Sequence, residues 1–185
     1  EILHGPSPAG AGHSAVFRQN FLVVPNSKQL QLVDFTYSFW VFLPEEQVAH
    51  PDDGPHWCPL LRKGVYVSKA NEFLSTPAIL LSHRTGHLRA SVATSRSTRG
   101  FGEFVDSNAR LQPGRWAHVA AVHRQARSSM LIYVNGILDA AMQVRGALQQ
   151  NDYPLYVGGD PFTADQCKRA VYIDDLRVYS RAVAP

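Results

Sequence analysis

Short apolar runs alternate with turn-forming residues along this chain. Its 13 glycines and 12 prolines separate these runs from end to end, and this spacing argues against long helices. Residues 35–43 are rich in aromatic and β-branched side chains and are followed by Pro44, which predicts a long, well-buried strand. The hydrophobic pattern therefore indicates a protein built mainly from β-strands.

Two pairs of apolar runs are joined by sequences typical of β-hairpins. Residues 78–83 and 87–92 flank a short connection that contains Gly86, and residues 130–134 and 137–142 flank Asn135-Gly136. Asn-Gly is a strong hairpin signal because both central residues of a type I′ turn need positive φ. The remaining predicted strands cover residues 14–18, 21–24, 59–63, 116–123, 153–157 and 170–179.

These short strands predict an all-β fold with two antiparallel sheets packed as a sandwich, formed as one domain over 1–185. The segment 116–123 is rich in alanine and also suits a helix, but the turn before it and the hairpin after it favour a strand. The segments 44–59 and 94–102 are polar and are predicted as exposed loops.

Length and charge narrow the possible partners. A chain of 185 residues is long enough to bury a core without the help of a metal or a disulfide. The net charge of +3 is modest beside the dense basic stripe of a nucleic-acid-binding protein, and no segment approaches the roughly 18 apolar residues of a membrane span. The sequence therefore argues against a nucleic-acid partner and against membrane insertion.

Two cysteines, Cys58 and Cys167, leave two readings open: one disulfide in a secreted protein, or two free thiols in a reduced one. Cys58 ends the loop that follows strand 35–43, and Cys167 precedes the last predicted strand. If both loops lie at the same end of the sandwich, the two residues meet the Cα distance of roughly 4.4–6.8 Å that a disulfide requires.

Four blocks in the C-terminal half occur in a characteristic order and spacing. They are Gly-Arg-Trp-Ala-His-Val-Ala-Ala-Val-His at 114–123, Met-Leu-Ile-Tyr-Val-Asn-Gly at 130–136, Pro-Leu-Tyr-Val-Gly-Gly at 154–159 and Tyr-Ile-Asp-Asp-Leu-Arg-Val-Tyr-Ser-Arg-Ala-Val at 172–183. Together they resemble the laminin-G-like, concanavalin A-like lectin/glucanase family, and the N-terminal half matches more loosely. The resemblance implies a jelly-roll sandwich and, among the family's activities, extracellular recognition.

The glucanase branch of this family carries paired catalytic acids as Glu-x-Asp-x-x-Glu on one strand, where alternate residues face the same cleft. This sequence has no such motif. Its acidic strand pair is Asp174-Asp175, and adjacent residues of a regular strand point to opposite faces. We therefore expect a protein that is not an enzyme.

Calcium is the cofactor that the resemblance implies. Asp174 and Asp175 are one candidate pair of ligands, and Asp52 and Asp53 in the loop 44–59 are another. The alternative for Asp174 and Asp175 is that they end the last strand and pair with Arg177.

Ligand-binding candidates lie in the predicted loops and the hairpin. Trp57 stands in a polar segment beside Cys58 and is the best aromatic candidate for stacking on a ligand, the alternative being a packed loop anchor. Trp40 and Trp116 fall within apolar strands and are predicted to be core residues. A basic group suited to sulfated glycans or an acidic protein face, or else a solvated edge, comprises Arg84, Arg89, Arg96 and Arg99.

Two functional hypotheses follow. In the first, the chain is a non-catalytic extracellular module, secreted or part of an ectodomain, that binds a carbohydrate or a protein partner. In the second, it is a structural or accessory domain that packs beside another domain and has no ligand of its own.

Overall fold

The computed structural model describes residues 3–5, 7–8, 13–45, 57–97, 102–164 and 167–183. The described residues form thirteen strands and two short 3₁₀ turns, Lys28–Leu30 and Gln125–Arg127, and none of their helices is long and apolar enough to cross a membrane. The strands are β1 (Leu3–Gly5), β2 (Ser14–Phe17), β3 (Leu22–Val24), β4 (Phe35–Phe42), β5 (Trp57–Val67), β6 (Glu72–Ser82), β7 (His87–Val92), β8 (Glu103–Arg110), β9 (Trp116–Arg124), β10 (Ser129–Val134), β11 (Ile137–Gln143), β12 (Leu155–Val157) and β13 (Val171–Tyr179).

The strands form two antiparallel sheets, which confirms the predicted sandwich. The seven-stranded sheet has the order β1-β2-β13-β4-β9-β10-β11, and the six-stranded sheet has the order β3-β12-β5-β6-β7-β8. Strands distant in sequence are neighbours in both sheets, as β13 is to β2 and β4 and as β12 is to β3 and β5. At one side of the sandwich the edge strands β8 and β11 contact each other.

The core fills the space between the two sheets. Phe39 and Val41 of β4 face Ile79 and Leu81 of β6, and all four side chains are at most 1% exposed. Because successive strand residues point to opposite sides, the intervening residues of β4 lie on the outer face. Trp40 is one of them and is only half-buried, as is Trp116 of β9, so the prediction that both are core residues is wrong.

Sequence and structure differ most along the six-stranded sheet. Strand β8 was not predicted, because Glu103–Arg110 consists largely of polar residues, as suits an edge strand with one solvated face. Strand β5 begins at Trp57, so Trp57 and Cys58 lie in a strand and not in the predicted loop. For the long strands β5 and β6, the sequence predicted only the most apolar segments, residues 59–63 and 78–83.

The segment between β12 and β13 is held to the six-stranded sheet at two places. A disulfide joins Cys58 to Cys167 with a Cα–Cα distance of 5.5 Å, which confirms the predicted pair. Nearer to β12, the Phe162 ring packs edge-on against Tyr156 at 5.7 Å between centroids. The Phe162 ring also packs against Phe73 of β6, so residues 160–163 cover the part of the outer face formed by β12, β5 and β6.

A buried ion pair lies beneath this loop. Arg62 of β5 donates from Nε to Oδ2 of Asp160 at 2.5 Å, and both side chains are fully buried. Burial lowers the pKa of the Arg62 guanidinium, and the charge and hydrogen bond of Asp160 offset that effect in part. The other carboxylate oxygen of Asp160 accepts from the backbone N–H of Phe162 and from the backbone N–H and hydroxyl of Thr163.

The buried hydroxyl of Tyr37 allows a test of how an unsatisfied polar group affects the stability of the core. Its side chain is fully buried, burial raises the pKa of its hydroxyl, and that hydroxyl has no hydrogen-bond partner among the described residues. We expect Tyr37→Phe to be neutral or to stabilise the fold by up to about 1 kcal/mol, because it removes an unsatisfied polar group without changing the ring. Urea unfolding measures the change, and a loss above about 1 kcal/mol would reveal a partner for the hydroxyl.

Candidate functional site

A stack of three side chains stands on the outer face of the six-stranded sheet, beyond the covering loop. The Arg89 guanidinium carbon lies 4.1 Å from the centroid of a Trp57 ring and 3.7 Å from the centroid of the Phe104 ring. Arg89 also donates from Nε and Nη2 to the two carboxylate oxygens of Asp106 at 2.7 and 2.8 Å. Arg89 is thus held by cation–π contacts on two sides and by a bidentate ion pair.

Strand register explains this arrangement. Arg89 of β7 is paired directly with Asp106 of β8, and Phe104 lies two residues earlier on the same face of β8. The predicted candidates Trp57 and Arg89 are therefore brought together. The sequence did not suggest the role that the structure gives them: Trp57 packs on one side of the Arg89 guanidinium, and Arg89 packs against the Phe104 ring on the other side.

The Phe104 ring forms part of a groove of about 560 Å³ between the edge strands β8 and β11. The ring is 45% exposed, although phenylalanine is a large apolar residue. Two arginines from the adjoining loops, Arg96 and Arg145, line the same groove. The remaining lining residues are Gly102, Glu103, Met142 and Gln143.

The Glu103 carboxylate joins the two loops that carry these arginines. Its Oε1 accepts from the Thr94 hydroxyl at 2.6 Å and from the Gly146 N–H at 3.0 Å, and its Oε2 accepts from the Arg145 N–H at 2.7 Å. The Thr94 hydroxyl oxygen in turn accepts from the Arg96 N–H at 3.2 Å. The groove's one acidic side chain among the described residues is therefore engaged in positioning the two cationic segments.

Protonation of Glu103 gives a prediction for the pH dependence of stability. Burial alone would raise the pKa of this carboxyl, but hydrogen bonds from Thr94, Arg145 and Gly146 and the charge of Arg145 outweigh burial and lower it. A lowered folded-state pKa contributes stability that is present above the unfolded value of about 4.3 and is lost as pH falls through the folded value. We expect Glu103→Gln to lower stability more at pH 7 than at acid pH. Urea unfolding across that range measures this, and an equal loss at every pH would contradict it.

The other two predicted arginines, Arg84 and Arg99, are not among the described residues that line the groove. Arg84 lies exposed in the turn between β6 and β7, and it does not line the groove. Arg99 lies outside the described residues. Of the four predicted arginines, Arg96 therefore lines the groove, and Arg89 packs against the Phe104 ring that lines it.

A β-bulge changes the expectation for the two acids of the last strand. The pairing of β13 with β4 shifts register between Asp174 and Arg177, and Asp175 has a left-handed backbone with φ of 50°. The core-facing residues on either side are Ile173 and Leu176, so both acids lie on the outer face of the seven-stranded sheet. The prediction that Asp174 and Asp175 point to opposite faces is wrong, because it assumed a regular strand.

The two acids of the last strand have partners within the protein. Asp174 accepts from the Ser7 hydroxyl and from the N–H of Asp175, and Asp175 pairs with Arg177 at 2.8 Å. Ca²⁺ takes six to eight oxygen ligands, whereas no group of three or more His, Cys, Asp or Glu suited to a metal occurs among the described residues. Asp52 and Asp53 lie outside them, and calcium binding stays a prediction.

The family model for the concanavalin A-like lectin/glucanases superfamily matches residues 18–185. The chain belongs to this superfamily. The match confirms the predicted resemblance, both for the four C-terminal blocks and for the N-terminal half, which resembles the family more loosely. A search of the curated proteins finds no match.

Solved structures with the same fold include binding domains and an enzyme-associated domain. The binding domain of Paraclostridial Mosquitocidal Protein 1 has a TM-score of 0.67 at 16% identity, over 98% of this chain and 43% of that one. The Botulinum neurotoxin serotype G binding domain has a TM-score of 0.68 at 10% identity, over 99% and 42%. Domain 4 of an extracellular GH43 arabinanase from Geobacillus stearothermophilus, in complex with arabinotriose, has a TM-score of 0.62 at 18% identity, over 99% and 77%.

At these identities the likeness shows the fold alone. This superfamily chain spans less than half the length of the two toxin binding domains that it matches. The fold accommodates several functions, so the function has to be argued from the residues of the site.

Sequence reasoning missed three residues of the groove: Glu103, Phe104 and Arg145. Phe104 was missed together with its strand, because β8 lacks an apolar pattern. Arg145 follows β11 in a segment with no motif. No motif in the sequence around Phe104 distinguished it from other aromatic residues.

Proposed function

We propose that this superfamily member is a non-catalytic carbohydrate-binding module and that its groove between β8 and β11 takes an acidic glycan, sulfated or carboxylated. The observation that carries the proposal is the exposed Phe104 ring beside two arginines in one groove. An aromatic face packs against the apolar side of a sugar ring, and guanidinium groups donate charge-assisted hydrogen bonds to sulfate or carboxylate.

The charge balance of the groove favours an anion. Arg96 and Arg145 are positive, and the nearby Glu103 carboxylate already accepts three hydrogen bonds from the protein. Arg89 is neutralised by Asp106 behind the ring, so it supports Phe104 and does not compete for the ligand. A neutral glycan could accept hydrogen bonds from the two groove arginines but would leave their positive charges uncompensated.

The non-catalytic and extracellular parts of the proposal have separate support. The sequence has no Glu-x-Asp-x-x-Glu motif with which the glucanases of this superfamily hydrolyse glycosidic bonds. The Cys58–Cys167 disulfide supports an oxidising compartment, such as the outside of the cell or the secretory pathway. Incubation of the purified chain with the glycans that it binds tests the first point, because released sugar would contradict it.

A glycan array that includes sulfated, carboxylated and neutral oligosaccharides tests the proposal. We expect binding to acidic glycans that weakens with salt, and a loss of about tenfold or more in Arg96→Gln and in Arg145→Gln, because each removes charge-assisted hydrogen bonds. Arg84→Gln is the matched control and keeps full affinity, since Arg84 is exposed outside the groove. If no acidic glycan on the array binds the chain, or if all three variants lose affinity equally, the groove is not the binding site.

A second candidate, packing beside another domain, is favoured by one surface. The three residues of the edge strand β3 are Leu22, Val23 and Val24, and they are 39%, 50% and 39% exposed. Consecutive exposed aliphatic residues on a sheet edge are unusual for a free surface. Protection of these residues from hydrogen exchange in a longer protein, but not in this chain alone, would support the second candidate.

A further inference from the structure

A second concave surface lies on the opposite side of the sandwich, on the outer face of the seven-stranded sheet. It is a pocket of about 150 Å³ at the bulge of β13. Its lining residues come from β4, β9, β13 and the segment that follows β13: Thr36, Ser38, His118, Ala120, Asp175, Arg177, Tyr179 and Val183. The groove at Phe104 shares none of these residues.

The depression has a definite structural cause. Ser38 and Ala120 are direct partners in the pairing of β4 with β9, and both are small residues on the outer face. On one side of them stands the Trp40–His118 pair, whose rings are 5.3 Å apart. On the other side, the Thr36 hydroxyl accepts from the Val183 N–H at 2.8 Å and donates to the Arg181 carbonyl at 2.9 Å, which holds the following segment against the sheet.

The bulge directs a carboxylate into this pocket. In a regular strand Asp175 would face the core, but its left-handed backbone turns it to the outer face beside Arg177. Such a bulge re-aims a side chain, and a non-glycine residue with positive φ is worth a functional explanation. Arg177 donates from Nε to Oδ1 of Asp175, and the two side chains are 60% and 46% exposed, so polar atoms of both remain open to solvent.

The chemistry of the pocket suits a neutral polyhydroxyl ligand. An acceptor, Asp175, and a donor, Arg177, are fixed side by side, and a sugar presents hydroxyl groups that both donate and accept. Anions would meet the Asp175 charge and cations would meet the Arg177 charge, whereas neutral hydroxyl groups satisfy both. The volume is well below the roughly 300 Å³ of pockets for drug-sized ligands, which limits the occupant to about one ring.

We infer that the pocket at the β13 bulge is a second carbohydrate site, which takes a single neutral monosaccharide residue with Asp175 and Arg177 as its hydroxyl-binding pair. The site is separate from the acidic-glycan groove. It does not depend on the proposed function of that groove, because no lining residue is shared.

Amide chemical shifts of the whole chain, followed during titration with glucose, galactose, mannose, arabinose and glucuronic acid in turn, test this inference. We expect at least one neutral sugar to bind with a Kd on the order of 1 mM and to shift the amides of 36–38, 118–120 and 175–179. Glucuronic acid is the charged comparison and is expected to bind this pocket more weakly. Absence of shifts at these residues with all four neutral sugars, or equal binding of glucuronic acid, would overturn the inference.

Two variants separate loss of the ligand from loss of the fold. Asp175→Asn removes the charge but keeps the bulge, because asparagine adopts the left-handed conformation readily. We expect it to weaken neutral-sugar binding about tenfold, with Arg177→Gln similar, while Arg96→Gln leaves it unchanged. Unaltered binding in Asp175→Asn would reject the assigned pair. If no neutral sugar binds this pocket while acidic glycans still bind the groove, only the inference about the pocket is rejected. If a neutral sugar binds this pocket but no acidic glycan binds the groove, only the groove proposal is rejected.

Discussion

Asp160→Asn is expected to lower the free energy of unfolding by about 3 kcal/mol, the loss typical when one partner of a buried ion pair is removed. The variant keeps an oxygen for the hydrogen bonds from Phe162 and Thr163 but removes the charge that compensates Arg62. Both side chains are fully buried, so water does not replace the missing charge. Urea unfolding of the purified chain measures the loss.

Two controls assign this loss to the uncompensated charge. Asp106→Asn removes the partner of Arg89 at a site where the carboxylate side chain is 41% exposed, and we expect a loss within about 1 kcal/mol. Replacing Arg62 with Met in the Asp160→Asn background is expected to recover most of the stability, because an apolar side chain of similar size leaves no buried charge. If Asp160→Asn alone is as stable as wild type, water or another group must compensate the charge of Arg62.

Removal of the disulfide is the second large effect. Cys58 and Cys167 are 109 residues apart, and in the chain-entropy model a loop of that length contributes about 5 kcal/mol. We expect Cys58→Ala with Cys167→Ala to lower the free energy of unfolding by about this amount. Urea unfolding of the double variant measures it, and wild type unfolded under reducing conditions should show a similar loss. A loss below about 1 kcal/mol would mean that the bond does not restrict the unfolded chain.

The disulfide and the ion pair hold the same loop, so their effects should not add. Asp160 fixes the loop near β12 and Cys167 fixes it near β13, and both connect it to β5. Groups that share one structural element show coupling energies of about 0.5–3 kcal/mol in double-mutant cycles. Asp160→Asn is therefore combined with Cys58→Ala and Cys167→Ala. If the losses in the free energy of unfolding simply add, the two ends of the loop are independent.

The sequence predicted the fold well where strands carry an apolar face. Strand β4 was predicted because it is rich in aromatic and β-branched residues, and the hairpin was predicted because Asn135-Gly136 favours the required turn. Strand β8 was missed because its two faces are largely polar, and the bulge of β13 was missed because no residue pattern marks a register shift. The same irregularity explains why Asp174 and Asp175 share a face.

The candidate site was predictable only in part. Trp57, Arg89 and Arg96 were identified from residue type, but their contacts depend on strand pairing, which a single sequence does not give. Glu103 is informative here: it has no motif, yet its three hydrogen bonds hold the groove's two loops. Residues that position other residues are recognised from distances, and distances require the fold.

Locating the bound acidic glycan on the protein shows whether the groove between β8 and β11 is its binding site. The tightest acidic ligand from the array is titrated into the labelled chain, and its contacts are mapped by amide shifts and by intermolecular contacts to the Phe104 ring. We predict that the largest changes fall on 102–104 and 142–146 and disappear in Phe104→Ala at unchanged fold. Strong binding whose contacts lie elsewhere on the sandwich, with no change at Phe104, would show that the groove is not the glycan site.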